Sequence, residues 1–344
     1  MRGSSLTTRG LRLLLWLVML GAIGATAGPS FAAAGTVPFD AQQIGLGVYR
    51  PEFPDDLTVL NKLEQASGKH LPFISWYALW GGWKSAFSRA DLDAVAKHGS
   101  APFITWEPWA GAGGDPAWSL QRAILSGAND AYITSWAKGM AAFGQPVYLR
   151  FAHEMHNQTY PWALDVNGNT AAEYVAAWRH VHDIFLSNGA GNVRWVWNPN
   201  TIGAARASTY LPIYSSLYPG DDAVDLVGLD VYNTGPNLDW GAPYWRAFSD
   251  ALEEPYRALT QVSNKPVFLA EVASAETGGS KAAWIADALE QQLPASFPRV
   301  RALIWFDVLK EENWPLSSST SAWNAWAAAA QSATYAPLAS ALNI

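Results

Sequence analysis

Residues Pro146 to Glu154 read PVYLRFAHE, a short apolar run opened by proline and closed by His153 and Glu154. Runs of this length, rich in β-branched and aromatic residues, are the pattern of a buried strand. Seven more lie along the chain: Ile44–Val48, Leu71–Trp76, Phe103–Trp106, Val193–Trp197, Val224–Leu229, Val267–Ala270 and Ala302–Phe306. Together with Val147–Phe151 they make eight strand candidates. Helix-like stretches fall between them at Ala90–Lys97, Asp130–Ala142, Ala171–Ser187, Tyr244–Val262 and Lys281–Leu293, with Ser321–Ala330 closing the series. Eight strand and helix units in succession predict an α/β fold of the (β/α)8 TIM-barrel type, folded as a single domain. A doubly wound sheet needs no eighth strand and usually opens on a glycine-rich turn. Here Gly45-Leu46-Gly47-Val48-Tyr49-Arg50 lacks that fingerprint.

A barrel of this kind builds its active site at the carboxyl ends of the strands, so those ends are read first. They carry Trp76 and Tyr77; Trp106, Glu107 and Trp109; Arg150, His153 and Glu154; Trp197 and Asn198; Asp230 and Tyr232; Glu271; Trp305 and Asp307. Acids, amides and aromatic rings collect there. Glu154 follows the fourth strand and Glu271 closes the seventh, which puts two carboxylates on facing sides of one mouth. Glycoside hydrolysis needs such a pair, one to protonate the leaving oxygen and one to attack or to activate water. Pairing with Arg150 and a hydroxyl such as that of Tyr232 would keep Glu271 ionised. Burial beside rings would leave Glu154 protonated.

Bulk composition agrees with an ordinary globular protein: of 344 residues, 50% are hydrophobic and 15% charged. A net charge of -7 without a basic run argues against a nucleic-acid partner. The absence of cysteine removes disulfides, thiol nucleophiles and cysteine-ligated metals. The 19 tryptophans and 13 tyrosines suit stacking on the apolar faces of sugars, or a merely aromatic core.

The first 34 residues read as a secretory signal, with Arg2, Arg9 and Arg12 before the apolar run Leu13–Ala27, and Ala32–Ala34 as cleavage site. The run is shorter than the ~20 residues a membrane span needs. The expectation is therefore a secreted protein, with a signal at 1–34, a catalytic domain at 35–344 and no stable membrane association after cleavage.

Tyr148–Trp162, YLRFAHEMHNQTYPW, resembles the acid/base motif of glycoside hydrolase family 26. Ala177–Phe185 (AWRHVHDIF), Val193–Asn200 (VRWVWNPN), Tyr218–Asn233 (YPGDDAVDLVGLDVYN) and Pro266–Ala273 (PVFLAEVA) follow in that family's order, covering Gly45 to Trp326. The resemblance implies a retaining enzyme acting on a β-linked polysaccharide, with Glu154 as acid/base and Glu271 as nucleophile. It also implies that His153, Trp162, Tyr232 and Trp305 bind substrate, with Trp305 stacking beneath the cleaved sugar. Arg150, Asn198 and Trp109, read from the strand ends, are the further substrate-binding candidates, with a structural role the alternative for Trp109. β-1,4-Mannan is the first expected substrate, mixed-linkage β-glucan or β-1,3-xylan the alternatives, and a monomer without cofactor or metal the expected form. A non-catalytic carbohydrate-binding barrel could dispense with either acid. Where the family usually reads His-Glu-Met-Asn-Gly, this chain has His156 and Asn157 in place of Asn-Gly, which alters the loop after the fourth strand.

Other motifs carry less. His153-Glu154-Met155-His156 is similar to a zinc-protease helix, but its histidines are three apart rather than four. No Gly-x-Ser-x-Gly elbow is present, and Ser280 is expected to cap a helix. His180 and His182 are read as packing or surface residues, Trp178 and Trp284 as core. Asp221, Asp222 and Asp225 are read as caps away from the chemistry, Glu311 and Glu312 as loop charges. Asp307 is read as able to reach a sugar hydroxyl, and Glu107 as either a substrate contact or a structural acid.

Overall fold

The computed structural model describes residues 43–109, 119–201, 206–238 and 244–336. The expected signal and the expected domain start at Gly35 lie outside them. Eight parallel strands close into a barrel in sequence order: β1 (Gly45–Tyr49), β2 (Phe73–Leu79), β3 (Ala101–Glu107), β4 (Val147–Phe151), β5 (Val193–Trp197), β6 (Leu226–Asn233), β7 (Val267–Ser274) and β8 (Val300–Phe306). Pairing of β8 with β1 completes the ring. The helices interleave as α1 (Thr58–Ser67), α2 (Arg89–His98), α3 (Asp130–Phe143), α4 (Ala171–Ser187), α5 (Ala207–Leu217) and α6 (Phe248–Val262). After β7 come α7 (Lys281–Ala286), a π-helical stretch at Asp287–Gln292 and α8 (Leu293–Ser296), and α9 (Thr320–Ala330) follows β8. No helix among the described residues is long and apolar enough to cross a membrane.

Local chemistry sets the helix ends. Thr170 and Glu173 form a reciprocal capping box on α4, and Ser88 and Ser280 accept the first free amides of α2 and α7. Gly68, Gly99 and Gly144 end α1, α2 and α3 with positive φ.

Side chains alternate across each strand, so every second residue fills the barrel. Phe73, Phe103, Tyr148 and Phe268 meet there, with Phe103 and Phe268 at 4.6 Å and Phe73 and Phe268 at 5.1 Å between ring centroids. Glycine makes the room. A Cβ on Gly47 would lie 2.6 Å from that of Phe73, and one on Gly228 would lie 2.2 Å from Asn198 Oδ1.

A bulge in β7 aims the next layer. Leu229 pairs with Leu269, but Asp230 pairs with Glu271, and on the other side Leu269 pairs with Leu303 while Val272 pairs with Trp305. The extra residue, Ala270, resets the alternation so that Glu271 faces inward as Phe268 does.

Several expected boundaries shift. β6 runs on to Asn233 and β7 to Ser274, so Glu271 lies inside its strand rather than closing it. The polar residues that end the apolar runs in the sequence pair with one another inside the barrel: Asp230 with Arg150, and Asn233 with Ser274 at 3.0 Å. α6 starts at Phe248 rather than Tyr244 because the backbone at Arg246 is held by Asn233 and by the Trp284 indole. Lys281–Leu293 is broken by the π-helical stretch. α1 and α5, the latter containing Pro212, are helices the periodicity reading omits.

Candidate active site

A cleft of about 1040 Å³ opens at the carboxyl ends of the strands, and Glu154 and Glu271 both line it. Seven aromatic residues line it, Tyr49, Tyr77, Trp83, Trp109, Tyr160, Tyr232 and Phe306, among polar and charged side chains. Trp83 is 56% exposed, a ring presented to solvent on the rim. Such a surface suits a chain of sugars, whose C–H faces stack on rings.

Glu271 sits in a web of donors. Arg150, Tyr77 and Tyr232 each hydrogen-bond its carboxylate, and Arg150 also binds both oxygens of Asp230, at 2.9 and 3.1 Å, and Thr105 at 2.9 Å. Burial alone would raise the pKa of Glu271. The Arg150 charge and the hydrogen bonds from Tyr232, Tyr77 and Arg150 outweigh it and hold the group below the ordinary carboxylate range. An ionised carboxylate, fixed on a strand, is the form a nucleophile requires.

Glu154 is set up in the opposite sense. It lies three residues beyond β4, on a turn where Ala152 and Glu154 both have positive φ, at 44° and 50°. Non-glycine residues rarely occupy that region, and the turn is held by its surroundings. Ala152 N donates to Trp106 O, Glu154 N to Asn198 O at 2.7 Å, and Trp162 Nε1 to His153 O at 2.8 Å. Burial, reinforced by the Glu271 charge, pushes Glu154 up to about 7. Asn157, one of the two residues that depart from the usual motif, donates to Glu154 Oε2 at 2.7 Å. His156, the other, lines the cleft with its ring 5.7 Å from that of Tyr214, and burial lowers its pKa to about 4.

A third acid, Glu107 at the end of β3, lines the cleft and accepts from Trp109 Nε1 at 2.9 Å. Burial raises it to about 7. Of the four clustered carboxyl groups, Arg150 bonds Glu271 and Asp230; Glu271 is held low, while burial pushes Glu154, Glu107 and Asp230 up, which sets an ionised group beside protonated ones.

The family model for glycosyl hydrolase family 26 matches residues 120–297, more than half of the chain. The chain belongs to glycosyl hydrolase family 26. It is 38% identical over 269 residues to endoglucanase H of Acetivibrio thermocellus, covering 77% of this chain and 28% of that protein. It is 28% identical over 153 residues to the β-1,3-xylanase TXYA of a Vibrio species, covering 43% of this chain and 28% of the other. The chain therefore spans little more than a quarter of the length of these two relatives. Among solved structures, the catalytic domain of the GH26 endo-β-1,4-mannanase of Bacillus sp. JAMB-750 superposes with a TM-score of 0.65 at 19% identity, covering 87% of this chain and 88% of that one. That likeness shows a shared fold.

Within this family-26 barrel the expected site residues fall into two groups. Glu154, Glu271, Tyr232 and Trp109 line the cleft. Arg150, His153 and Asn198 are buried beneath it, where Arg150 and Asn198 tie the carboxylates together and His153 is kept neutral by burial and by the Arg150 charge. His153 faces Glu107 at 3.9 Å.

Two aromatic expectations are corrected. Trp305 is fully buried on the outer side of β8, donating to Trp314 O and packed edge-on against Trp284 of α7, while its neighbour Phe306 faces the cleft. Strand alternation decides this, since adjacent residues point to opposite faces. Trp162 is likewise fully buried, stacked at 4.5 Å behind Tyr160, which lines the cleft in its place. Asp307 does not reach the cleft either. It accepts from Arg50 at 2.6 Å and from Leu316 N at 2.5 Å, and so fixes the loop after β8.

The expected sequence signals missed Tyr49, Trp83, Tyr160 and Phe306. Tyr77 stood among the strand-end residues without a role. For Tyr49, Tyr77 and Phe306 only the direction in which the side chain leaves its strand separates them from buried rings, while Trp83 and Tyr160 reach the cleft from the loops after β2 and β4.

Proposed function

We propose that the protein hydrolyses a β-linked polysaccharide by double displacement, with Glu271 as nucleophile and Glu154 as acid and then base. The observation that carries this is the opposite tuning of two cleft carboxyls, Glu271 held ionised by Arg150, Tyr77 and Tyr232, and Glu154 held protonated by burial. In the first step Glu271 attacks the anomeric carbon as Glu154 gives its proton to the departing glycosidic oxygen. In the second, Glu154 takes a proton from water, which displaces Glu271 and returns the sugar with its configuration retained. The cleft of about 1040 Å³, with Trp83 exposed on its rim, supports internal cleavage of a polymer rather than trimming of its end.

For the backbone we place β-glucan first and β-mannan second, reversing the order expected from the motifs. The 38% identity over 77% of the chain to a protein named endoglucanase supports this order, against 28% over 43% for the β-1,3-xylanase. Export through the N-terminal leader and action as a monomer outside the cell belong to the same reading.

The test is reducing-sugar release from mixed-linkage β-glucan, β-mannan and β-1,3-xylan, with Glu154→Gln and Glu271→Gln beside the wild type. The reading expects highest activity on β-glucan, lowered by two to four orders of magnitude in each variant. Highest activity on mannan would restore the motif-based order. Binding without hydrolysis of any polymer would favour a carbohydrate-binding barrel.

A further inference from the structure

At the opposite end of the barrel, where the strands begin, the last turns of α1 and α2 and the loop after α1 bring together Glu64, His98 and His70. One ligand atom from each lies within 4.8 Å of the others. His70 Nδ1 is 2.9 Å from Glu64 Oε1, and His98 Nε2 is 3.2 Å from Glu64 Oε2. Both imidazoles thus aim a nitrogen at one carboxylate.

The second nitrogen of each ring is already committed as a donor. His70 Nε2 lies 3.1 Å from Gly99 O, a carbonyl that can only accept. His98 Nδ1 lies 2.9 Å from Ser100 Oγ, and the Ser100 hydroxyl spends its own proton on Leu71 O at 2.6 Å, so it accepts from the ring. With their protons lost, both rings turn a lone pair toward the Glu64 carboxylate, three acceptors around one point that a cation would bridge. In the metal-free protein a proton on His70 fills that role, since the hydrogen bond to Glu64 raises the His70 pKa. The distances approach the ~3.4 Å edge of a tetrahedron with metal bonds near 2.1 Å. Ligand orientation is preset, because Leu71 N holds Glu64 Oε1 at 2.6 Å and Ser100 holds His98. The negative ends of the α1 and α2 dipoles point the same way. His70 is 36% exposed, which leaves room for water as a fourth ligand.

We propose that Glu64, His70 and His98 form a divalent transition-metal site, best matched to zinc, that clamps α1 to α2 at the base of the barrel. Two imidazoles and one carboxylate are a donor set zinc favours over magnesium or calcium. The sequence reading expects no metal in the chain and weighs one only at His153 and His156; this site departs from that expectation and is separate from both. Its position away from the cleft makes it a stabilising element, not part of the reaction.

The test is isothermal titration of zinc into the untagged, chelator-treated protein, with thermal unfolding alongside. One zinc ion per chain is expected, with a rise in Tm of several degrees at saturation. His70→Ala and His98→Ala should each weaken binding at least tenfold, and Ser100→Ala by about 10-fold to 100-fold. Binding should persist unchanged in a Glu154→Gln, Glu271→Gln double variant. Absence of saturable binding and of a Tm shift in the wild type would overturn the proposal. So would binding that survives loss of both histidines, or that disappears with the cleft carboxyls.

Discussion

Arg150 on β4 donates to Glu271 on β7 across the inside of the barrel, and the same guanidinium grips Asp230 on β6. The pair is buried on both sides, so the charge of each is matched only by the other groups of the cluster. A bidentate fork serves two carboxylates at once, which a single ammonium cannot do.

Arg150→Met should therefore lower folding stability by about 3–5 kcal/mol, as is usual when a buried ion pair loses one partner. Arg150→Lys should recover part of that loss while leaving kcat strongly reduced. Urea unfolding and steady-state kinetics on the same preparations separate the two effects.

The pH profile of kcat/KM should be bell-shaped. Activity requires Glu271 ionised and Glu154 protonated, so the acid limb falls below the ordinary carboxylate range and the alkaline limb near 7. Tyr77→Phe and Tyr232→Phe each remove a donor from the Glu271 carboxylate and should move the acid limb upward by about one pH unit. Asn157→Ala removes a donor to Glu154 and should move the alkaline limb upward, leaving the acid limb in place.

Stability should depend on pH through the same acids. Glu154 and Glu107 titrate near 7 in the folded barrel and near 4.5 when unfolded. Below 4.5 they are protonated in both states and the favourable contribution is complete. As pH rises to 7 the unfolded chain has released these protons while the folded one retains them, so stability falls. Glu154→Gln, which has no proton to lose, should raise Tm relative to wild type more at pH 8 than at pH 4. A differential scan at both values measures this.

Much of this was legible in the residue pattern. The eight apolar runs each fall within or overlap a barrel strand, and the placement of Glu154 and Glu271 at one mouth follows from barrel geometry. What the pattern hides is direction. Trp305 and Phe306 are adjacent aromatic residues, and only strand alternation sends one to the helices and the other to the cleft. The bulge at Ala270, which turns Glu271 inward, leaves no mark in composition because alanine suits either face. Glu64, His70 and His98 are scattered over two helices and a loop, so no spacing rule joins them.

That difference in direction can be tested directly. Phe306→Ala should raise KM for polymer several-fold, since its ring lines the cleft beside Tyr49 and Tyr232, and should lower Tm less than the loss of Trp305 does. Trp305→Ala should instead lower stability by about 3–5 kcal/mol, the range for emptying a buried aromatic site. The remaining folded enzyme should keep its KM. Kinetics and thermal unfolding of the two variants distinguish a cleft ring from a core ring.

The central claim is that Glu271 becomes covalently attached to the sugar. Its most direct test is inactivation by an activated 2-deoxy-2-fluoro-β-glycoside of the preferred sugar, followed by mass spectrometry of the digested protein. The mechanism predicts a single glycosyl adduct on the peptide containing Glu271, formed in the wild type and absent in Glu271→Gln. An adduct on another residue, or hydrolysis with inverted anomeric configuration and no adduct, would contradict it.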